Sequence, residues 1–170
     1  MAGVKARIDV AISATQSGTA DLGTPTMTAA ATKSLLTSEG TDTVDKTDVL
    51  FSDGRTIAAS SNDDLDLRGT LTDAFGAVIN FAEIVAIYVE ASSTNTNNVV
   101  IGGAAANQFI GPFGAATHTI SLLPGQVFCI TNKNGWTVTA GTGDILRIAN
   151  SGAGSSVNYN IVLVGRTVAA

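Results

Sequence analysis

Few side chains in this sequence can do chemistry. His118 is the only histidine and Cys129 the only cysteine. A Ser-His-Asp or Cys-His arrangement would need His118 as its base. His118 falls at the start of an expected strand, no nucleophile elbow exists in the chain, and the residue reads as a partly exposed strand-edge histidine. Cys129 lies in the apolar run 127–130, where a free thiol is ordinarily a small buried hydrophobe. One imidazole and one thiol do not complete a usual zinc set. Oxygen ligation of Ca²⁺ is the remaining metal chemistry, and Asn62, Asp63, Asp64 and Asp66 offer it at short spacing. They lack the Gly and downstream Glu of an EF-hand loop, so a solvated acidic turn is the plainer reading and no metal site is assigned. Glycoside hydrolysis would need two facing carboxylates. Glu39, Asp42, Asp45, Asp48, Asp53, Asp63, Asp64 and Asp66 supply carboxylates, but in polar, loop-like sequence with nothing to raise the pKa of an acid partner.

The glycine-rich pieces 102–114 and 141–144 do not follow phosphate-loop spacing and lead into no expected helix, so turn chemistry explains them. No cofactor is expected. The nine Lys and Arg are scattered against a net charge of −5, which argues against nucleic acid as a partner. Three aromatics remain as candidate interface residues: Phe109, Phe113 and Trp136. On sandwich loops such rings can stack on sugars or anchor a protein contact. For Trp136 a core or sheet-edge plug is the favoured reading. Phe109 and Phe113, among Gly111, Pro112 and Gly114, suit a loop tucked onto its own sheet or a neighbour's.

The elements that would carry these residues read as β throughout. Five short strands are expected at 117–122, 126–131, 136–140, 145–150 and 157–164, ended in turn by Pro124-Gly125, 132–135, 141–143 and 151–154. Val4, Ala6, Ile8, Val10 and Ile12 alternate with more polar residues, the pattern of a half-buried strand. Residues 14–47 lose that pattern; within them 27–36 fits a strand or a short helix, and the whole stretch is a candidate arm or loop. A hairpin is expected over 48–60 around Ser52-Asp53-Gly54, then an acidic corner at 62–66, a strand at 65–68 and a turn at 72–76. Residues 84–91 are apolar on both faces and β-branched, which suits a strand in the middle of a sandwich better than the alternative of a buried helix over 80–91. A polar loop (92–98), a strand (99–102) and a glycine-rich loop (103–116) follow.

At 170 residues the chain is one domain by expectation. Only 14% of it is charged, against about 25% for ordinary soluble domains. Residues 1–90 hold thirteen acids and six Lys or Arg, a net −7; residues 91–170 hold one acid and three bases, a net +2. The second half fills its polar positions with Thr, Ser and Asn, as an oligomer interface does. Arg7 and Asp9 interrupt any signal-peptide core, no apolar run approaches the ~20 residues of a membrane helix, and the single cysteine makes no internal disulfide. Intracellular synthesis and no membrane partner are the expectations.

The successions LDLRGTLTDAFGAVINFAEIVAIYVEAS, VVIGGAAANQFIGPFG and GWTVTAGTGDILRIANSGAGSSVNYNIVLVG, within residues 63–166, resemble small structural proteins encoded among the virion genes of tailed bacteriophages and prophages. The resemblance implies a β-structured virion component and supplies no catalytic motif to carry over. The combined expectation is a non-enzymatic protein with an all-β fold. That fold is a jelly-roll-like antiparallel β-sandwich over residues 1–170, with an N-terminal arm at 14–47 and its main β-array at 63–166. In function it would be a capsid decoration (cement) protein of the virion, made in the host cytoplasm, forming a homo-oligomer, a trimer for preference, on the major capsid protein or another virion protein. A tail, connector or head-spike component is the alternative within that class. A carbohydrate-binding module for host glycans and, more weakly, a glycan-cleaving enzyme are the alternatives outside it.

Overall fold

The computed structural model describes residues 3–41 and 43–170; Met1, Ala2 and Asp42, the last among the acids counted above, lie outside the described residues. All its regular elements are strands. Eight of them make an antiparallel β-sandwich: β4 (Val49–Ile57), β5 (Asn62–Asp66), β8 (Glu83–Ala91), β9 (Val99–Gly102), β10 (Thr119–Leu122), β11 (Val127–Thr137), β12 (Ile145–Asn150) and β13 (Val157–Arg166). One sheet runs β11-β8-β13-β4 and the other β10-β9-β12-β5. Counting these eight strands in chain order, the sheets read 6-3-8-1 and 5-4-7-2, which is the order of a jelly roll. Successive strands cross from one sheet to the other except at β9–β10.

The core lies between the sheets. Phe51, Ile87, Val89, Ile161 and Leu163 of one sheet meet Leu65, Ile101, Leu146 and Ile148 of the other in a single cluster. β8 and β13 are the inner strands of their sheet, which is why their sequences are so continuously apolar. The helix alternative over 80–91 is thus replaced by strand. A short hairpin, β6 (Arg68–Thr72) with β7 (Val78–Asn80), caps one side. The Asp73 carboxylate closes its turn by accepting the Phe75 and Ala77 N–H groups, each at 2.9 Å.

Three expected elements differ. Residues 48–60 are not a hairpin: β4 runs straight through Gly54, pairing residue by residue with β13. The neighbouring β13 supplies the hydrogen-bond ladder, and no chain reversal is needed. The strands expected at 126–131 and 136–140 are one strand, β11, and residues 132–135 are a bulge within it, where the pairing with β8 slips between Thr131 and Trp136. The acidic corner is itself strand β5, paired with β12.

The N-terminal third is separate in character. β1 (Ala6–Ser17) and β2 (Thr26–Glu39) form a two-stranded ribbon with unbroken antiparallel register from Ala6↔Thr37 to Ser17↔Thr26. Residues 27–36 are therefore strand, not helix. The ribbon begins at residue 6, ahead of the expected arm. Its residues are exposed apart from Thr37 and the half-buried Ala6, Ile8 and Leu35 near its root. The half-buried strand expected from the Val4–Ile12 alternation is half-buried at Val4, Ala6 and Ile8 but uncovered beyond them, with Val10 47% and Ile12 66% exposed. At about 3.4 Å per residue the ribbon is roughly 40 Å long. β3 (Lys46–Thr47) pairs parallel to the end of β2 and leads the chain into the sandwich.

Candidate functional site

The residues first suspected of chemistry are placed apart or already engaged. His118 is exposed ahead of β10, and Cys129 is exposed on the outer side of β11 in the other sheet. Cys129 was expected in the interior. Pairing with Tyr88 turns it outward, while its neighbours Phe128 and Ile130 face the core. Partial burial raises the thiol pKa, so the thiolate is the less favoured form there.

The acidic run is held by arginines. Arg55 donates to Asp63 at 2.6 and 3.2 Å and to Asp53 at 2.7 Å, and the Tyr159 hydroxyl donates to Asp63 at 2.9 Å. Burial and the Asp63 charge push the Tyr159 phenol well above its ordinary pKa. Arg147 grips Asp64 with two bonds, at 2.7 and 2.8 Å, and holds its carboxyl below the usual range. Asp66 accepts the Arg68 N–H at 2.9 Å. Among the described residues no group of three or more His, Cys, Asp or Glu is placed to hold a metal ion. The glycine-rich 141–144 piece is a turn, with Gly141 at φ +71° donating its N–H to Asp144.

Of the three aromatics, Phe109 is 3% exposed in the core and has no surface to offer a partner. Phe113 and Trp136 are half-buried against the same core. Trp136 packs so closely over Gly111 that a Cβ there would lie 2.4 Å from the Trp136 Cβ and 2.7 Å from its indole Cγ. Phe113 covers Gly102. Both read as plugs of their own sandwich.

What sequence reading passed over is the ribbon's anchor. Arg166, at the end of β13, is fully buried, and its guanidinium sits 2.6 Å from the Glu83 carboxylate at the start of β8. Its remaining N–H groups donate to the carbonyls of Lys46 (3.2 Å), Val44 (3.4 Å) and Asn134 (3.0 Å). One side chain thus ties three things together: the last sandwich strand, the β11 bulge and the segment that joins the ribbon to the sandwich. The bulge requires glycine, because Gly135 has φ +83° and a Cβ would come within 2.7 Å of the Arg166 guanidinium. Thr37 and the fully buried Thr47 share a hydroxyl bond of 2.7 Å at the ribbon's base, and Lys133 pairs with Asp45 at 2.7 Å beside it. The signal was present: an Arg and a Glu each bordering a continuous apolar run must be buried as a pair or not at all.

The ribbon itself has two unlike faces, because directly paired residues lie on the same side. One face carries Ile8 with Leu35, Val10 with Lys33, Ile12 with Ala31, Ala14 with Ala29, and Gln16 with Met27. The other carries Ser, Thr and Ala with a single large apolar residue, Leu36 opposite Arg7, and its Asp9 is bonded to Ser34 at 2.6 Å and Arg7 at 2.7 Å. Those two bonds keep the Asp9 carboxyl below its ordinary pKa.

The molecule is thus an all-β jelly roll carrying an anchored, amphipathic, unpartnered ribbon. No family model and no curated protein matches the sequence. Among solved structures, one from work describing Bacillus endospore appendages as a novel family of disulfide-linked pili is similar over 69% of this chain and 88% of its own, at 17% identity and a TM-score of 0.34.

Proposed function

We propose that the protein is a non-catalytic structural subunit of a tailed-phage virion, a decoration protein that stabilises the capsid by binding major capsid protein as a symmetric oligomer. The observation that carries the assembly part is the ribbon. A lone two-stranded hairpin is marginal in water, and open strand edges invite pairing with another chain. Here such a hairpin is fixed at its root by a buried arginine and exposes an apolar face along its length. A chain builds such an element to be covered by a neighbour. The virion setting rests on the sequence resemblance of residues 63–166, and the capsid is the place in the particle where symmetric, charge-poor contacts serve best; jelly rolls serve in capsids and lectins alike, so the fold does not select it. The glycan-binding alternative draws no support from the aromatics, which pack on their own core.

Co-sedimentation of the purified protein with expanded capsids lacking decoration tests this reading. Saturable binding at a fixed ratio to capsid protein, reduced when ribbon residues 8–35 are replaced by a short glycine loop, is the expected result. Binding to isolated tails alone would move the protein to the tail or connector, and no binding to any particle fraction would overturn the virion reading.

A further inference from the structure

The outer face of the β11-β8-β13-β4 sheet matches the ribbon's apolar face. Register places Ser52, Val162, Tyr88 and Cys129 in one row across it, and Gly54, Asn160, Glu90 and Val127 in the next. An antiparallel sheet with one solvent face ordinarily dresses that face in charges. On these rows the only charge is Glu90, beside Val127 at 51% exposure and the exposed Cys129, and Leu50, 40% exposed, lies in the row next to Ser52. The Glu90 carboxylate is already oriented, accepting from the Tyr88 hydroxyl at 3.1 Å and the Asn160 amide at 3.3 Å. The ribbon's apolar face likewise carries a single charge, Lys33, between Leu35 and Ala31 and opposite Val10. Two flat β surfaces, both poor in charge and each carrying one charge of opposite sign, are complementary.

We propose that the ribbon of one copy lies with its apolar face on this outer sheet face of a second copy, Lys33 meeting Glu90. The inference rests on the assembly reading above but not on the capsid. Area supports an exchange closed by symmetry. One face of a two-stranded ribbon about 40 Å long and about 10 Å wide covers roughly 400 Å². A lasting interface takes about 800 Å² per partner. Two copies that exchange ribbons reciprocally bury about 800 Å² each in one interface and reach that figure; a single ribbon laid on a neighbour buries about half of it. The contact joins unlike surfaces, so it closes a ring when the rotation between copies allows.

Charge exchange in the full-length protein, followed by sedimentation equilibrium, tests the contact. Wild type should sediment as a multiple of the 17.2 kDa chain. Lys33→Glu and Glu90→Lys should each weaken association roughly tenfold or more, and the double variant should recover most of it. Lys33 is exposed and Glu90 half-buried, and circular dichroism checks that each variant keeps its fold. A second measurement uses the native thiol: Val10→Cys should form an intermolecular disulfide with Cys129 under mild oxidation, and Ser13→Cys, on the opposite ribbon face, should not. A monomeric wild type, single variants that associate normally, or a double variant no better than the singles overturns the contact. Should that happen while capsid binding persists, the capsid reading stands without it; rescue by the double variant without capsid binding leaves the contact and removes the capsid.

Discussion

The ribbon and the sandwich are both antiparallel β-structure, yet they solve the problem of burial in opposite ways. β8 lies between two strands and over a core, with Ile84, Val85, Val89 and Ala91 showing no exposure. β1 has equally regular pairing and an equally clear alternation, but its Ile12 is 66% exposed. Hydrogen-bond register is therefore not what separates them; cover is. A strand's periodicity says that one face is meant to be buried, and says nothing about whose surface will bury it.

Perturbing one region at a time sharpens the contrast. The largest effect is expected at the joint. Glu83→Ala leaves the buried Arg166 guanidinium unpaired and should destabilise the protein by about 3–5 kcal/mol in urea unfolding. Next comes the sandwich core, where Ile148→Ala leaves a cavity between the sheets and should cost about 2–5 kcal/mol. A much smaller effect is expected at the surface pair of Asp64 and Arg147. Because its pKa is depressed in the folded state, Asp64 stabilises above the ordinary carboxylate range and loses that contribution as pH falls through the folded value. Asp64→Asn should thus cost under ~1 kcal/mol at pH 7, and its difference from wild type should fade below about pH 4. The smallest effect belongs to the ribbon: Ile12→Ala should leave the unfolding of dissociated protein within about 0.5 kcal/mol of wild type while weakening association. If Ile12→Ala destabilised the dissociated chain as Ile148→Ala does, the contrast between the two regions would collapse.

Much of this was legible in the residues. The turns at 124–125, 141–143 and 151–154 and the β-branched run of β8 announced a sandwich, while its strand order comes from the long-range pairing. Residues 14–47 show a weak pattern because the ribbon strands there alternate Ser and Thr with little beyond Ala, Met27 and Leu35. Two local signals misled for one reason each. Gly54 lies in a continuous strand because β13 offers a full ladder on its inner edge. The Asn-Lys-Asn-Gly at 132–135 looks like a hairpin turn but bulges to let Arg166 reach the Asn134 carbonyl. Such long-range demands, set by residues more than thirty positions away, leave no local trace. The Asp64–Arg147 pair, 83 positions apart, is of the same kind, whereas the ribbon's anchor did leave a trace in the Arg and Glu that border apolar runs. Deleting 14–47 outright would remove Thr47 and the Val44 and Lys46 carbonyls that Arg166 holds, so a clean ribbon excision must stop short of them.

Hydrogen exchange across a concentration series reads both regions in one experiment. In dilute, dissociated protein, amides of 6–39 should exchange far faster than those of β8 and β13; on association the ribbon's amides should slow sharply while β8 and β13 stay as they were. A ribbon as protected as the sandwich in the dissociated chain, or one still exchanging freely in the assembled state, would contradict the claim that it is built to be covered by a neighbour.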